Sequence, residues 1–144
     1  MIKATSALVA LAATALLAGC QTAPAEPTPE PEARCAVSAS RDWSAWINRM
    51  PGPGATPTLH VTGQIDLPTP GYTATLTAGA ADRSATPVQQ LILNITPPSG
   101  MVAQVITTET VNYQGPTIAQ SYRGVTIRCA GQTLAEITEV PDVH

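Results

Sequence analysis

Phenylalanine is absent from this 144-residue chain, and aromatic residues of every kind make up only 3% of it. Any core must therefore be built from Leu, Ile, Val and Ala around a few large rings, which limits the area one small domain can bury. Charge is scarce too, at 12% of residues. The only lysine is Lys3, and ten acids outweigh seven basic residues for a formal net charge of -3. Binding to duplex nucleic acid needs clustered cations that displace counterions, and adsorption to anionic lipid needs a basic run. Neither occurs, so nucleic acid is not an expected partner. Histidine is limited to His60 and His144.

Catalytic and metal-binding patterns are equally thin. A hydrolytic triad needs a nucleophile, a base and an orienting acid, and no Gly-x-Ser-x-Gly elbow presents a serine. Glu136 and Glu139 are three apart in a segment that reads as a strand, which sends them to opposite faces. Met50, His60 and Met101, the only soft or imidazole set for copper, show no close spacing. No alternating-oxygen calcium loop is present. The expectation is a protein that is not an enzyme and holds no metal or cofactor.

The N-terminus, by contrast, is specific. After Lys3 comes an apolar run from Ala7 to Leu17, too short and Ala-rich to remain as a spanning helix, closed by Leu17-Ala18-Gly19-Cys20. This stretch resembles the lipobox of bacterial lipoproteins. The resemblance implies removal of residues 1–19 as a signal peptide, diacylation of the Cys20 sulfur and acylation, for instance with palmitate, of its new amino group. Gln21 stands where an Asp would retain such a protein at the inner membrane. By the same resemblance, the expected location is the outer membrane, lipid-anchored on its periplasmic face.

Residues 20–34 then read as the lipidated cysteine plus a spacer. Gln21–Arg34 contains four prolines and three glutamates and no large apolar residue, a composition that stays extended. At about 3.1 Å per residue its fourteen residues reach roughly 40 Å. With Cys20 taken by lipid, Cys35 and Cys129 remain as a pair in an oxidising compartment, where a disulfide is the favoured state. No Cys-x-x-Cys spacing or nearby histidine suggests a redox or metal role for them.

Residues 35–144 read as one all-β domain. Cys35–Ser40 is a first short strand. Ser40–Met50 fits two patterns: a short helical turn near 41–49 puts Trp43, Trp46, Ile47 and Met50 on one face with Ser40 as N-cap, whereas an extended reading groups Trp43 with Ala45 and Ile47. The helical turn is the preferred reading. Pro51-Gly52-Pro53-Gly54 ends the segment. Leu59–Leu67 alternates cleanly, with Leu59, Val61, Ile65 and Leu67 on one face around Gly63. Strands follow at Tyr72–Thr77, Val88–Thr96, Met101–Thr108 with a continuation near Val111–Tyr113, Tyr122–Cys129 and about Thr133–Val140, with Ala78–Thr86 as a loop. Seven or so short strands punctuated by Pro and Gly predict a small immunoglobulin-like antiparallel β-sandwich.

Trp43 and Trp46, flanked by Arg41 and Arg49, form the best candidate partner-binding set, since Trp and Arg are enriched at interaction hot spots. Packing of both tryptophans in or over the core is the competing reading. Leu59–Leu76 (LHVTGQIDLPTPGYTATL) resembles the opening strands of pilotin-type outer-membrane lipoproteins, which implies a small β-sandwich that chaperones a secretion component. The architecture and size are also similar to those of curli-type periplasmic chaperones. Together these readings lead to the expectation of a non-enzymatic binding or assembly module, tethered to the bilayer through Cys20, for an envelope protein. The alternative is a small protease inhibitor, or a fibre or secretin chaperone, with the Pro-rich loops Met50–Pro57 and Pro97–Gly100 as its contact points; a hydrolase ranks last.

Overall fold

Along Thr58–Leu67 every second residue is buried: Leu59, Val61, Gly63, Ile65 and Leu67 face inward, while His60, Thr62, Gln64 and Asp66 stay half-exposed. Period-2 burial of this kind makes one face of a sheet and requires a second sheet to cover it. The computed structural model describes residues 34–144. Within them the strands are β1 (Ala39–Asn48), β2 (Thr58–Leu67), β3 (Thr73–Ala81), β4 (Val88–Thr96), β5 (Thr107–Pro116), β6 (Gly124–Cys129), β7 (Gln132–Ile137) and the two-residue β8 (Asp142–Val143). The expected signal peptide, Cys20 and the expected spacer through residue 33 lie outside the described residues.

The strands form two four-stranded sheets, ordered β5-β2-β1-β8 and β3-β4-β6-β7, packed as a sandwich with no helix among the described residues. Ile47, Leu59, Val61, Ile65, Leu67 and Val111 from the first sheet meet Leu76, Leu91, Leu93, Val125, Ile127 and Ile137 from the second. Two pairings are parallel, β4 with β6 and β1 with β8. A parallel pair needs a crossover between its strands. Here β5 provides it by crossing to the opposite sheet, so β6 starts from the same end as β4.

Cys35–Ser40 is not a strand of its own, since only Ala39 and Ser40 are extended and both belong to β1. Three further expectations about the strands need correction. The segment near 41–49 is strand β1, not a helical turn: it pairs with β2 along most of its length and with β8 at its end. The β2 ladder satisfies its backbone groups on one side, and β8 adds bonds at Ile47 and Asn48 on the other, partners that an isolated turn lacks. Second, Met101–Thr108 is mostly not a strand. Residues 97–106 form an irregular loop and β5 begins at Thr107. The apolar residues there fall in adjacent couples, Met101-Val102 and Val105-Ile106, a pattern with no two-residue period. Third, β3 continues through Ala81 into the expected loop, with a register shift between Ala78 and Ala81.

Two local devices fix the ends. Cys35 and Cys129 are joined by a disulfide, with Cα atoms 5.4 Å apart across 94 residues of sequence. Tyr122 is buried two residues before β6, and its hydroxyl accepts a hydrogen bond from the Ile118 amide at 2.8 Å. A tyrosine hydroxyl bonding back to upstream backbone at a strand corner is a recurrent feature of immunoglobulin-like sandwiches. Buried Gln89 is satisfied as well, its amide donating to the carbonyls of Gly79 at 3.1 Å and Gln90 at 2.9 Å.

The registers define two poles. Ser38 donates to the Asp66 carbonyl, Leu67 pairs with Thr107, and Leu93 pairs with Cys129. The point where the chain enters the domain, the disulfide, the 68–72 loop, the 97–106 loop and the 130–131 turn therefore share one pole. The loops 49–57, 82–87 and 117–123 and the C-terminal residues share the other.

Candidate binding surface

The path of β1 decides where its aromatic residues go. Arg41 pairs with Gln64 and Ser44 with Thr62, so Asp42 and Trp43 together oppose the single residue Gly63. This is a β-bulge, with Asp42 at φ 55, a region that Asp tolerates better than most residues. Trp43 packs against the core beside Ala45 and Ile47, and its ring lies where a Cβ on residue 63 would otherwise stand. The gap at Gly63 in an apolar face is thus filled from the neighbouring strand.

Trp46 is on the opposite face. It pairs with His60 on β2, which pairs in turn with Gln114 on β5. The indole and imidazole are stacked, with ring centroids 5.2 Å apart and planes 10° from parallel. The Thr58 hydroxyl and His60 Nε2 share a hydrogen bond at 2.9 Å. Ser44, Thr62 and Asn112 form the next row. A groove of about 380 Å³ runs here, lined by Trp46, His60, Val61, Asn112, Tyr113 and Gln114, none of them Asp, Glu, Lys or Arg. Burial pushes the Tyr113 phenol up from its ordinary value, with Tyr122 adding to the effect.

Arg49 belongs to neither face. Its Nε donates to Asp142 Oδ1 at 2.6 Å and its Nη2 to the Gln120 carbonyl, while its amide donates to the Val143 carbonyl at 2.8 Å. It ties β8 and the 117–123 loop to the end of β1, and borders a separate depression of about 240 Å³ with residues of the 50–57 loop. Trp43 borders a third, about 410 Å³, at the open edge between β1 and β7. The three candidates Trp43, Trp46 and Arg49 are therefore not one patch.

Glu136 and Glu139 also differ from expectation. β7 ends at Ile137, so strand alternation does not extend to Glu139, and both residues border the cleft beside Trp43. The indole Nε1 of Trp43 is buried without a hydrogen-bond partner. Met50 and Met101 lie at opposite poles and cannot converge on His60. The loops Met50–Pro57 and Pro97–Gly100 are separated in the same way.

Two carboxylates elsewhere on the surface, Asp66 and Asp82, have structural partners. Asp66 accepts from Arg41 Nη1 at 2.7 Å and from the Thr108 hydroxyl at 2.6 Å. The Arg41 hydrogen bond, then that of Thr108, holds its carboxyl below the usual range. Asp82 caps the 82–87 loop, accepting from the Ser84 hydroxyl, from the Val88 amide at 3.1 Å and from the Ser84 amide at 3.1 Å. Those bonds, in that order, lower its pKa, with a smaller contribution from Arg123.

Sequence reasoning missed Asn112 and Gln114 as partners of Trp46. They alternate with Val111 and Tyr113, so reading residues 107–116 as one strand would have put them on the polar face. No family model, no curated protein and no solved structure is similar to this chain beyond chance. The resemblances to lipoproteins, pilotins and curli chaperones therefore rest on the residues and features that suggested them.

Proposed function

We propose that the chain is an outer-membrane lipoprotein, anchored through acylated Cys20 on the periplasmic side, whose sandwich is a non-enzymatic binding module for an envelope protein. The outer face of the β5-β2-β1-β8 sheet is its recognition surface. One observation carries this reading. In a domain short of aromatic residues, Trp46 stands on the solvent face, stacked on His60 beside the amides of Asn112 and Gln114. An aromatic anchor next to adaptable hydrogen-bonding groups suits protein recognition.

The placement suits a tethered adaptor. Trp46 is seven residues along β1 from Ala39, roughly 20 Å from the pole where the chain enters. A lipid at Cys20 confines this face near the membrane and raises its effective concentration for a membrane-bound partner. The alternative of an inhibitor gripping its target with both Pro-rich loops is disfavoured, because those loops occupy opposite poles.

The test is site-specific photocrosslinking of the mature protein in intact envelopes. A crosslinker at Asn112 is expected to give a discrete protein adduct that Trp46→Ala abolishes. A crosslinker at Thr75, exposed on the other sheet, gives none. Equal adducts from both positions, or an Asn112 adduct indifferent to Trp46→Ala, would remove the proposed surface. Failure of labelled palmitate to enter the wild type, or its undiminished entry into Cys20→Ser, would remove the anchor.

A further inference from the structure

The 97–106 loop is apolar and uncovered. Met101 is 104% exposed relative to the free residue, Ile106 67% and Val105 59%. From Thr96 to Thr108 the sequence TPPSGMVAQVITT contains no ionisable side chain. Large apolar groups gathered on one exposed loop are unusual on a soluble surface and mark contact with a protein or a membrane.

Its position distinguishes these two. The loop leaves β4 three residues beyond Leu93, the register partner of Cys129, and returns at Thr107, the partner of Leu67. Cys129 is bonded to Cys35, one residue after the described chain begins. The loop therefore projects from the same pole at which the proposed tether joins the domain. Only fourteen residues separate Cys20 from Cys35, so the loop is confined within roughly 40 Å of whatever surface holds the acyl chains. At such confinement even a weak apolar contact with that surface is populated, because the effective concentration replaces intrinsic affinity.

Among the described residues, charge around this pole is balanced, and the glutamates of the adjoining spacer add no basic run that would draw it to a bilayer. Arg34, Arg41 and Arg128 balance Asp42, Asp66 and Glu109 among the described residues, and two of these six pair with each other as Arg41–Asp66. An apolar contact would then be insensitive to salt, unlike adsorption by a basic patch.

We infer that Met101, Val105 and Ile106, with the half-buried Val102 between them, form a second membrane contact that inserts into the bilayer surface and stands the sandwich end-on, with the Trp46 face turned sideways and free. This rests on the proposed anchoring through Cys20. The spacer then sets the maximum reach of the domain rather than a fixed stand-off.

The experiment uses the acylated protein, reconstituted in phosphatidylethanolamine–phosphatidylglycerol vesicles, with an environment-sensitive fluorophore on Met101→Cys or, as the opposite-pole control, on Ala55→Cys. Both positions are exposed, and the native Cys35 and Cys129 are bonded to each other. The probe at 101 is expected to shift to the blue and lose emission to nitroxide-bearing phospholipid, equally at low and high salt; the probe at 55 does neither. A water-like probe at 101 in acylated protein overturns the loop contact and leaves the anchor standing, as does quenching at both positions, which means the domain lies flat. Shielding at 101 in native membranes but not in lipid vesicles assigns the loop to a protein and also overturns the inference. If palmitate labelling shows no acyl group on Cys20, the anchor fails, and the inference falls with it.

Discussion

Trp43 and Trp46 sit three residues apart on one strand and project from opposite sides of the same sheet. The first packs on Gly63 and the core, and the second stacks, half-buried, on His60 at the outer face. The two substitutions should therefore separate stability from binding. Trp43→Ala is expected to cost about 2–4 kcal/mol through the cavity it leaves. Trp46→Ala should cost less than about 1.5 kcal/mol, the scale of one stacked pair, while abolishing the Asn112 crosslink. Gly63→Ala forces a methyl into the Trp43 ring and should destabilise by about 1–3 kcal/mol. Urea midpoints of the three variants check the order.

Cys35 and Cys129 close nearly the whole described domain into one covalent loop. Cross-linking over that span restricts the unfolded chain by about 4–5 kcal/mol on a loop-entropy account. That is a large share of the roughly 5–15 kcal/mol typical of a small domain. Cys35→Ser with Cys129→Ala should therefore unfold at a much lower urea concentration than the oxidised wild type. Reduced wild type should match the double variant, since Cys129 is buried and its thiol replaces the bridge without a large void. A midpoint unmoved by reduction would mean the bridge is absent in solution.

The strands β2 and β4 were legible in the sequence because Leu59, Val61, Ile65 and Leu67 in one and Leu91, Leu93 and Ile95 in the other recur every second residue, and they fall on the face that this alternation assigns them. β1 was not, because large side chains stand on both of its faces: Trp43 and Ile47 turn inward and Trp46 outward, and with Met50 beyond the strand end they give a spacing of three and four that a helix also satisfies. The disulfide was readable by elimination, once Cys20 was set aside. The separation of Trp43, Trp46 and Arg49 was not: adjacency in sequence suggested one patch, whereas strand parity and the pairing of Arg49 with Asp142 send them to three places. Nor did the composition of 97–106 show that this loop projects beside the incoming chain, since that depends on which strands of the two sheets end together.

Acid should weaken the fold through two carboxylates. Asp66 is held below the usual range first by the Arg41 hydrogen bond and then by Thr108, and Asp82 first by the Ser84 hydroxyl and then by backbone amides. A carboxyl whose folded pKa is depressed stabilises the native state at every pH above its unfolded value, near 3.9, and loses that contribution as pH falls through the folded value. Stability should be level from neutral pH down to about 5 and decline below about 4. Asp66→Asn with Asp82→Asn should flatten that decline. Urea midpoints at pH 7 and pH 3 for wild type and double variant check it; an unchanged acid slope would assign the loss to other groups.

The turn from β6 to β7 carries an unfavourable residue that can be improved. Ala130 and Gly131 have φ of 48° and 77°, the backbone of a two-residue type I′ hairpin turn, which favours Asn-Gly. Alanine in the left-handed region pays a steric penalty from its Cβ that asparagine partly relieves through local hydrogen bonding. Ala130→Asn should raise stability by about 0.5–1 kcal/mol, or roughly 3–6 °C in Tm. Ala130→Val, branched at Cβ, should lower it, and Gly131→Ala should cost about 1 kcal/mol. Because the turn adjoins Cys129, the three variants should be compared with the disulfide intact, by calorimetry without reductant. An asparagine variant no more stable than the valine one would show that this turn is not held in the type I′ conformation in solution.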